Sequence, residues 1–128
     1  MSRPRPGLPI AACIALGWVA LLSACYDLAG PRACTLEAVA GIVIDLRTES
    51  GQALTAVDAT GRAVDGALIA NLEPFFDQLI GAWEQPGTFV VTVEKPGFEP
   101  WIRQDVRVEP GECHVTPARL EAVLSPRP

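Results

Sequence analysis

Thr88-Phe89-Val90-Val91-Thr92-Val93-Glu94 is the stretch that decides the fold. Phe89, Val91 and Val93 fall on one side of an extended chain, and Thr88, Thr92 and Glu94 on the other. A helix cannot produce this period of two. Just downstream, Trp101 to Glu109 repeats the alternation. Ile102, Val106 and Val108 are expected to face inward, while Arg103, Asp105, Arg107 and Glu109 alternate in sign on a solvated outer face. On this phase Trp101 points outward beside Arg103.

Pro86-Gly87, Pro96-Gly97 and Pro110-Gly111 punctuate these runs. Pro at i+1 followed by Gly at i+2 is the demand of a type II turn, so the sequence predicts three of them. The last strand, roughly His114 to Leu124, must place Pro117 at an edge, a start or a bulge, because proline lacks an N–H. Working back toward the N-terminus, Glu37 to Arg47 alternates again, with Ala40, Ile42, Ile44 and Leu46 on the buried side. The middle is mixed. Ala53 to Ala59 and Arg62 to Ala70 read as short strands around a Thr60-Gly61 turn. Phe75, Phe76, Leu79, Ile80 and Trp83 have a helix-like spacing, but Pro74 and Gly81 oppose a long helix. The prediction there is a loop or single turn over Asn71 to Asp77, then a strand from Gln78 to Trp83 that Trp83 closes in the core. The sum is an all-β fold of about seven strands, expected to be an antiparallel Greek-key β-sandwich.

Ahead of this domain, Arg3 and Arg5 precede an apolar run from Ile10 to Leu22 that ends in Leu22-Ser23-Ala24-Cys25. Positive residues, an apolar stretch and small residues before a cleavage point describe a signal segment. All four final positions match the bacterial lipobox, which implies lipid on Cys25 and removal of residues 1–24. A transmembrane anchor would need roughly 20 uninterrupted apolar residues, and Pro9 and Gly17 break this run. An ordinary secretory signal would leave Cys25 as a loose thiol in an oxidising compartment. The expected organisation is a signal peptide over 1–24, a tether over 25–33 broken by Gly30-Pro31, a domain over 34–125 and a tail over 126–128. The location implied is the bacterial cell envelope, with the membrane as partner through the lipid.

The full chain carries a net charge of −5, and losing Arg3 and Arg5 makes the mature part more acidic still. Such a surface does not seek nucleic acid. Of the four cysteines, Cys13 leaves with the signal and Cys25 takes lipid. Cys34 and Cys113 remain as a pair expected to form a disulfide that ties the two ends of the domain together. The competing metal reading falls short, since zinc asks for four ligands and only two thiols and His114 are to hand.

The chain from about Ala38 to Leu124 resembles the carboxypeptidase regulatory-like, transthyretin-type β-sandwich domains. The residues that carry the likeness are Val43-Ile44-Asp45 ending the opening strand, a turn at Gly51 and Gly87-Thr88-Phe89-Val90-Val91-Thr92-Val93. Pro96-Gly97-Phe98 and Val106-Arg107-Val108 before Gly111 complete them. It is similar in particular to bacterial lipoproteins of this class with a cysteine before the first strand and a Cys-His-Val near the last, here Cys34 and Cys113-His114-Val115. These are turn and core residues, so they imply a fold and carry no chemistry.

Two enzyme classes built on related sandwiches ask for side chains that this chain lacks. Intradiol dioxygenases hold iron with two Tyr and two His, against Tyr26 in the tether and His114 here. Hydroxyisourate hydrolases need more than one His and a C-terminal Tyr-Arg-Gly-Ser, whereas this chain ends Leu124-Ser125-Pro126-Arg127-Pro128. A Cys–His or Ser–His nucleophile would have to recruit His114, beside a cysteine expected to be oxidised. Gly51, Gly61 and Gly66 are separate turns and make no phosphate loop. Glu109 and Glu112 flank Pro110-Gly111, and Asp58, Asp65 and Asp77 lie in or near loops, but without Asp-x-Asp-x-Asp spacing they read as solvated turns. No catalytic residue, metal or cofactor is expected. Trp101 with Arg103 is the candidate ligand contact, for a sugar ring or a partner protein. The functional expectation is a lipid-anchored binding or structural module whose partner is an envelope protein. The alternatives are a carbohydrate-binding module using Trp101 and an accessory domain of an envelope peptidase or export system.

Overall fold

A computed structural model describes residues 33–128, and the lipobox, Cys25 and nearly all of the tether lie outside the described residues. Within them, seven strands and no helix follow one another as β1 (Ile42–Thr48), β2 (Thr60–Asp65), β3 (Leu68–Phe75), β4 (Gln78–Gly81), β5 (Gly87–Glu94), β6 (Trp101–Val108) and β7 (Ala118–Leu124). They form one continuous sheet in the order β6-β5-β2-β3-β4-β1-β7.

β3 is the corner of that sheet. Its first part, Leu68 to Leu72, pairs with β2, and its last part, Glu73 to Phe75, pairs with β4. Pro74 falls where β3 has left β2, so its missing N–H breaks no rung there. The outermost strands then come round toward each other. Thr116 donates its N–H to the Glu109 carbonyl at 2.8 Å, and Phe98 bridges Pro126. The sheet is therefore nearly barrel-like. It is also mixed: β1 runs parallel to β7, from Ile42 opposite Ala118 to Thr48 opposite Leu124. This corrects the purely antiparallel expectation, for a reason of topology: β7 is reached from β6 and not by a hairpin from β1, so no tight turn forces β1 and β7 to run antiparallel.

The core is what the alternation in β1 and β5 promised. Ile42, Ile44 and Leu46 of β1 and Phe89, Val91 and Val93 of β5 are fully buried, joined by Leu72, Leu79, Val106, Val108, Ala122 and Leu124. Each Val, Leu, Ile or Phe side chain so removed from water contributes roughly 1.5–3 kcal/mol.

Several local expectations are corrected. Ala53 to Ala59 is not a strand and makes only an isolated bridge, Arg47 to Ala53. Thr60-Gly61 opens β2 instead of turning, and the turn falls at Gly66-Ala67. β3 continues through the expected loop to Phe75, and β4 stops at Gly81. Trp83 is 46% exposed and no part of the core.

Of the three Pro-Gly pairs, Pro96-Gly97 makes the predicted turn: Gly97 has φ 84°, and Phe98 donates to the Lys95 carbonyl at 3.1 Å. The other two glycines serve close approach instead. A Cβ on Gly87 would lie 2.5 Å from the Asp65 carboxylate, and one on Gly111 would lie 2.1 Å from the His114 carbonyl oxygen.

β6 corrects the phase of Trp101. Phe89 pairs with Val106 but Val91 pairs with Arg103, so β6 carries one more residue than β5 between those rungs. The extra residue is accommodated by Asp105, in the left-handed region at φ 56°. Such a bulge swaps the faces of everything upstream of it. Ile102, expected inward, is 60% exposed, while Trp101, expected outward, packs partly buried against the core.

Candidate functional site

The expected ligand contact is thus built differently from the forecast. Arg103 and Trp101, two apart on the same face of β6, stack on each other, with the guanidinium carbon 5.3 Å from the indole centroid. The arginine covers ring that a sugar would need and the core takes more of it, which leaves Arg103 as the solvent-facing member.

The two cysteines meet. Cys34 and Cys113 form a disulfide with Cα atoms 5.2 Å apart, across 79 residues of sequence. Beside it His114 stands between two partners: its Nδ1 lies 2.6 Å from Glu84 Oε1 and its Nε2 2.8 Å from Thr35 Oγ1. Glu84 also accepts the Val39 N–H at 2.7 Å and the Val115 N–H at 3.2 Å. Its pKa is lowered, first by the Val39 N–H and then by His114 and Val115, against the opposing effect of burial. Both Glu84 and the nearby Ala82 have left-handed backbones, at φ 51° and 52°.

Carboxylate, imidazole and hydroxyl here follow the order of an acid–base–nucleophile relay. A working relay also needs a seat for substrate beside the hydroxyl and donors for a developing oxyanion. Neither of the two surface hollows described below is lined by Thr35, His114 or Glu84. What the arrangement does is clamp: it ties the segment by which the chain enters the domain (34–39) to the β4–β5 and β6–β7 connections. No reading of the sequence could pair Glu84 with His114 and Val39, since the contacts span 30 and 45 residues.

The hollows lie at the other end of β2 and β5. One, about 330 Å³, is lined by Thr60, Gly61, Arg62, Asn71, Thr92 and Glu94. The second, about 320 Å³, shares Thr60 and Glu94 and adds Asp58, Lys95, Pro96, Phe98 and Arg127. Lys95 is the buried charge of the domain, 8% exposed, and its ammonium donates to Asp58. That bond holds the Asp58 carboxyl below its usual range. Asp65 accepts the Thr88 N–H at 3.3 Å, and Arg107 reaches Glu109 at 3.2 Å. Among the described residues no three His, Cys, Asp or Glu side chains gather in a way that could hold a metal ion.

The most exposed aromatic surface is one the sequence reading passed over. Phe75 and Phe76, at the β3–β4 turn, are 52% and 77% exposed. Their rings meet edge to face with centroids 4.8 Å apart. The turn is held from behind, the Phe76 carbonyl accepting the Ala56 N–H at 2.8 Å and the Asp77 carbonyl the Leu46 N–H at 3.1 Å. The only signal in sequence is a Phe-Phe-Asp between Pro74 and Gln78 with no glycine for a turn. No family model and no curated protein matches this chain.

Proposed function

We propose that this chain is a lipid-anchored module of the bacterial cell envelope that works by binding another protein and performs no catalysis, on a β-sandwich of the carboxypeptidase regulatory-like, transthyretin-type kind. The observation that carries the binding role is the apolar surface left uncovered by a domain whose core is already filled. Ile69, Phe75, Phe76 and Ile102 are each more than half exposed. Isolated apolar residues on a surface are ordinary, but Phe75 and Phe76 lie ring against ring at one turn, and a paired aromatic tip left in water is what a contact surface looks like before its partner arrives.

The anchor rests on the lipobox at Leu22 to Cys25, and the absence of nucleic acid among the partners rests on the acidic balance. The sandwich reading draws support from β3, whose change of neighbour divides the strands into a β6-β5-β2-β3 half and a β3-β4-β1-β7 half. The likeness to regulatory domains keeps an accessory role beside an envelope peptidase or export machine as the form such binding would take. The sugar-binding alternative loses ground to Arg103, which occupies Trp101.

The test is carbodiimide (carboxyl-to-amine) cross-linking of the full chain in native envelopes, with mass spectrometry of the adducts, in parallel with Cys25→Ser. One reproducible protein partner, lost along with membrane association in Cys25→Ser, is the expected result. Adducts confined to peptidoglycan fragments, or to the chain itself, would overturn it.

A further inference from the structure

We infer that the β3–β4 hairpin tip, Phe75-Phe76, is the anchor of the contact, inserting into an apolar pocket of a partner protein whose rim is basic. The inference deepens the binding role proposed above and rests on it. The backbone argues first. Phe75 pairs with Gln78, so the loop between them is two residues long, and of those two only Phe76 has a positive φ, 56°. Positive φ at the first loop residue alone is the pattern of a type II′ turn, which asks for glycine there. A bulky side chain in that region is an outlier. Strain of this kind, held here by the bonds behind the turn, clusters at functional sites.

The ring does not repay the strain by burial, because Phe76 is 77% exposed. Its one aromatic contact is Phe75, itself half exposed. Val57, 76% exposed, follows Ala56, whose N–H bonds Phe76, and so extends the apolar tip. Rigid aromatic side chains displayed on a hydrogen-bonded turn are the usual anchors of protein interfaces, since little conformational entropy is lost when they bind.

Charge selects the occupant. Glu73 and Asp77 flank the two phenylalanines in sequence, and Glu73 is exposed two residues from Phe75 on the same strand. Anionic headgroups would meet carboxylates beside the rings, which disfavours a bilayer. A second copy of this acidic chain would be repelled likewise, and both its hollows are walled mainly by polar side chains. An apolar pocket with a Lys/Arg rim is attracted by the acids and filled by the rings.

The decisive experiment puts a photo-cross-linker at the tip, Phe76→p-benzoylphenylalanine, in the full chain in living cells, with Val123→p-benzoylphenylalanine as control. The expected result is one envelope protein captured from position 76 and not from 123, with the adduct mapping to an apolar pocket bordered by Lys or Arg. Glu73→Lys should reduce that adduct several-fold. Phe75→Ser with Phe76→Gly should cut carbodiimide cross-linking to the same protein at least about tenfold. Phe76→Gly alone should raise the melting temperature by roughly 3 °C while weakening capture, because it relieves the turn. Equal capture from both positions, capture of the chain's own copies, or ring-dependent binding to phosphatidylglycerol vesicles would overturn the inference. So would a fall in melting temperature on Phe76→Gly, which would make the ring structural. If carbodiimide cross-linking finds a partner that the tip variants leave unchanged, the binding role stands and the tip is wrong. If it finds none, both fail.

Discussion

Two hairpins in this domain have the same backbone and opposite chemistry. Gly66-Ala67 joins β2 to β3 between the paired residues Asp65 and Leu68, and Phe76-Asp77 joins β3 to β4 between Phe75 and Gln78. In each, the first loop residue alone takes a positive φ, 58° at Gly66 and 56° at Phe76. The first turn has the residue its geometry asks for, and the second has one of the worst. The surroundings do not explain it, since a Cβ on Gly66 would meet nothing within 4 Å. A third region completes the comparison. Glu84 is also left-handed, at φ 51°, but its carboxylate collects the Val39 and Val115 N–H groups and His114. Strain at Glu84 is offset by bonds that its side chain makes inside the domain, whereas Phe76 is held only through its carbonyl, by the Ala56 N–H, while its ring stays exposed.

The entering segment, 34–39, is the clamped end, and the largest expected effect comes from unclamping it. Closing a loop of 79 residues is worth about 4 kcal/mol in the chain-entropy account. Cys34→Ala with Cys113→Ala, or reduction of the parent, should lower the melting temperature by well over 10 °C for a domain of this size. A scanning calorimeter decides it. An unchanged transition would mean that the noncovalent contacts of Glu84 and His114 carry the clamp by themselves.

A reciprocal exchange between the hairpins is the next largest and addresses the contrast directly. Gly66→Phe gives the first turn the chemistry of the second and should destabilise the domain by about 1–2 kcal/mol, purely through the backbone. Phe76→Gly does the reverse and should stabilise it by about 0.5–1 kcal/mol. Chemical denaturation at equilibrium measures both. If the two substitutions change stability in the same direction, the turns are not equivalent and the contrast dissolves.

How far the sequence could be read follows from the range of each cause. β1 and β5 were legible because their buried residues alternate in an unbroken period of two, and Ile42 to Leu46 and Phe89 to Val93 are buried on that phase. The disulfide was legible by counting cysteines. Pro96-Gly97 turned as forecast because both residues of its signal are local. β6 was misread from Trp101 to Gln104 because the bulge rests on Asp105, and aspartate tolerates φ > 0 without announcing it. β3 was missed as a long strand because its second half is held by β4, with Pro74 inside it as a misleading stop. The tip was missed because turn chemistry points to glycine and finds phenylalanine.

The smallest expected effect tests whether strain at Glu84 is really offset by its carboxylate. Ionised, that group accepts from two backbone N–H groups and faces His114, and its pKa lies below the ordinary 4.5. A carboxyl with a lowered folded pKa adds stability above its unfolded pKa and loses it as pH falls through the folded one. Glu84→Gln keeps an oxygen that can still accept the Val39 N–H but removes the charge. The variant should therefore melt a few degrees below the parent near neutral pH, and the gap should close as the solution is acidified below 4.5. Asp58, also lowered through its bond from Lys95, titrates in both proteins and cancels from the difference. A gap that stayed constant with pH would mean that the side chain's shape, not its charge, fixes the strained backbone, and Glu84 would then resemble Phe76 more closely than the bonds around it suggest.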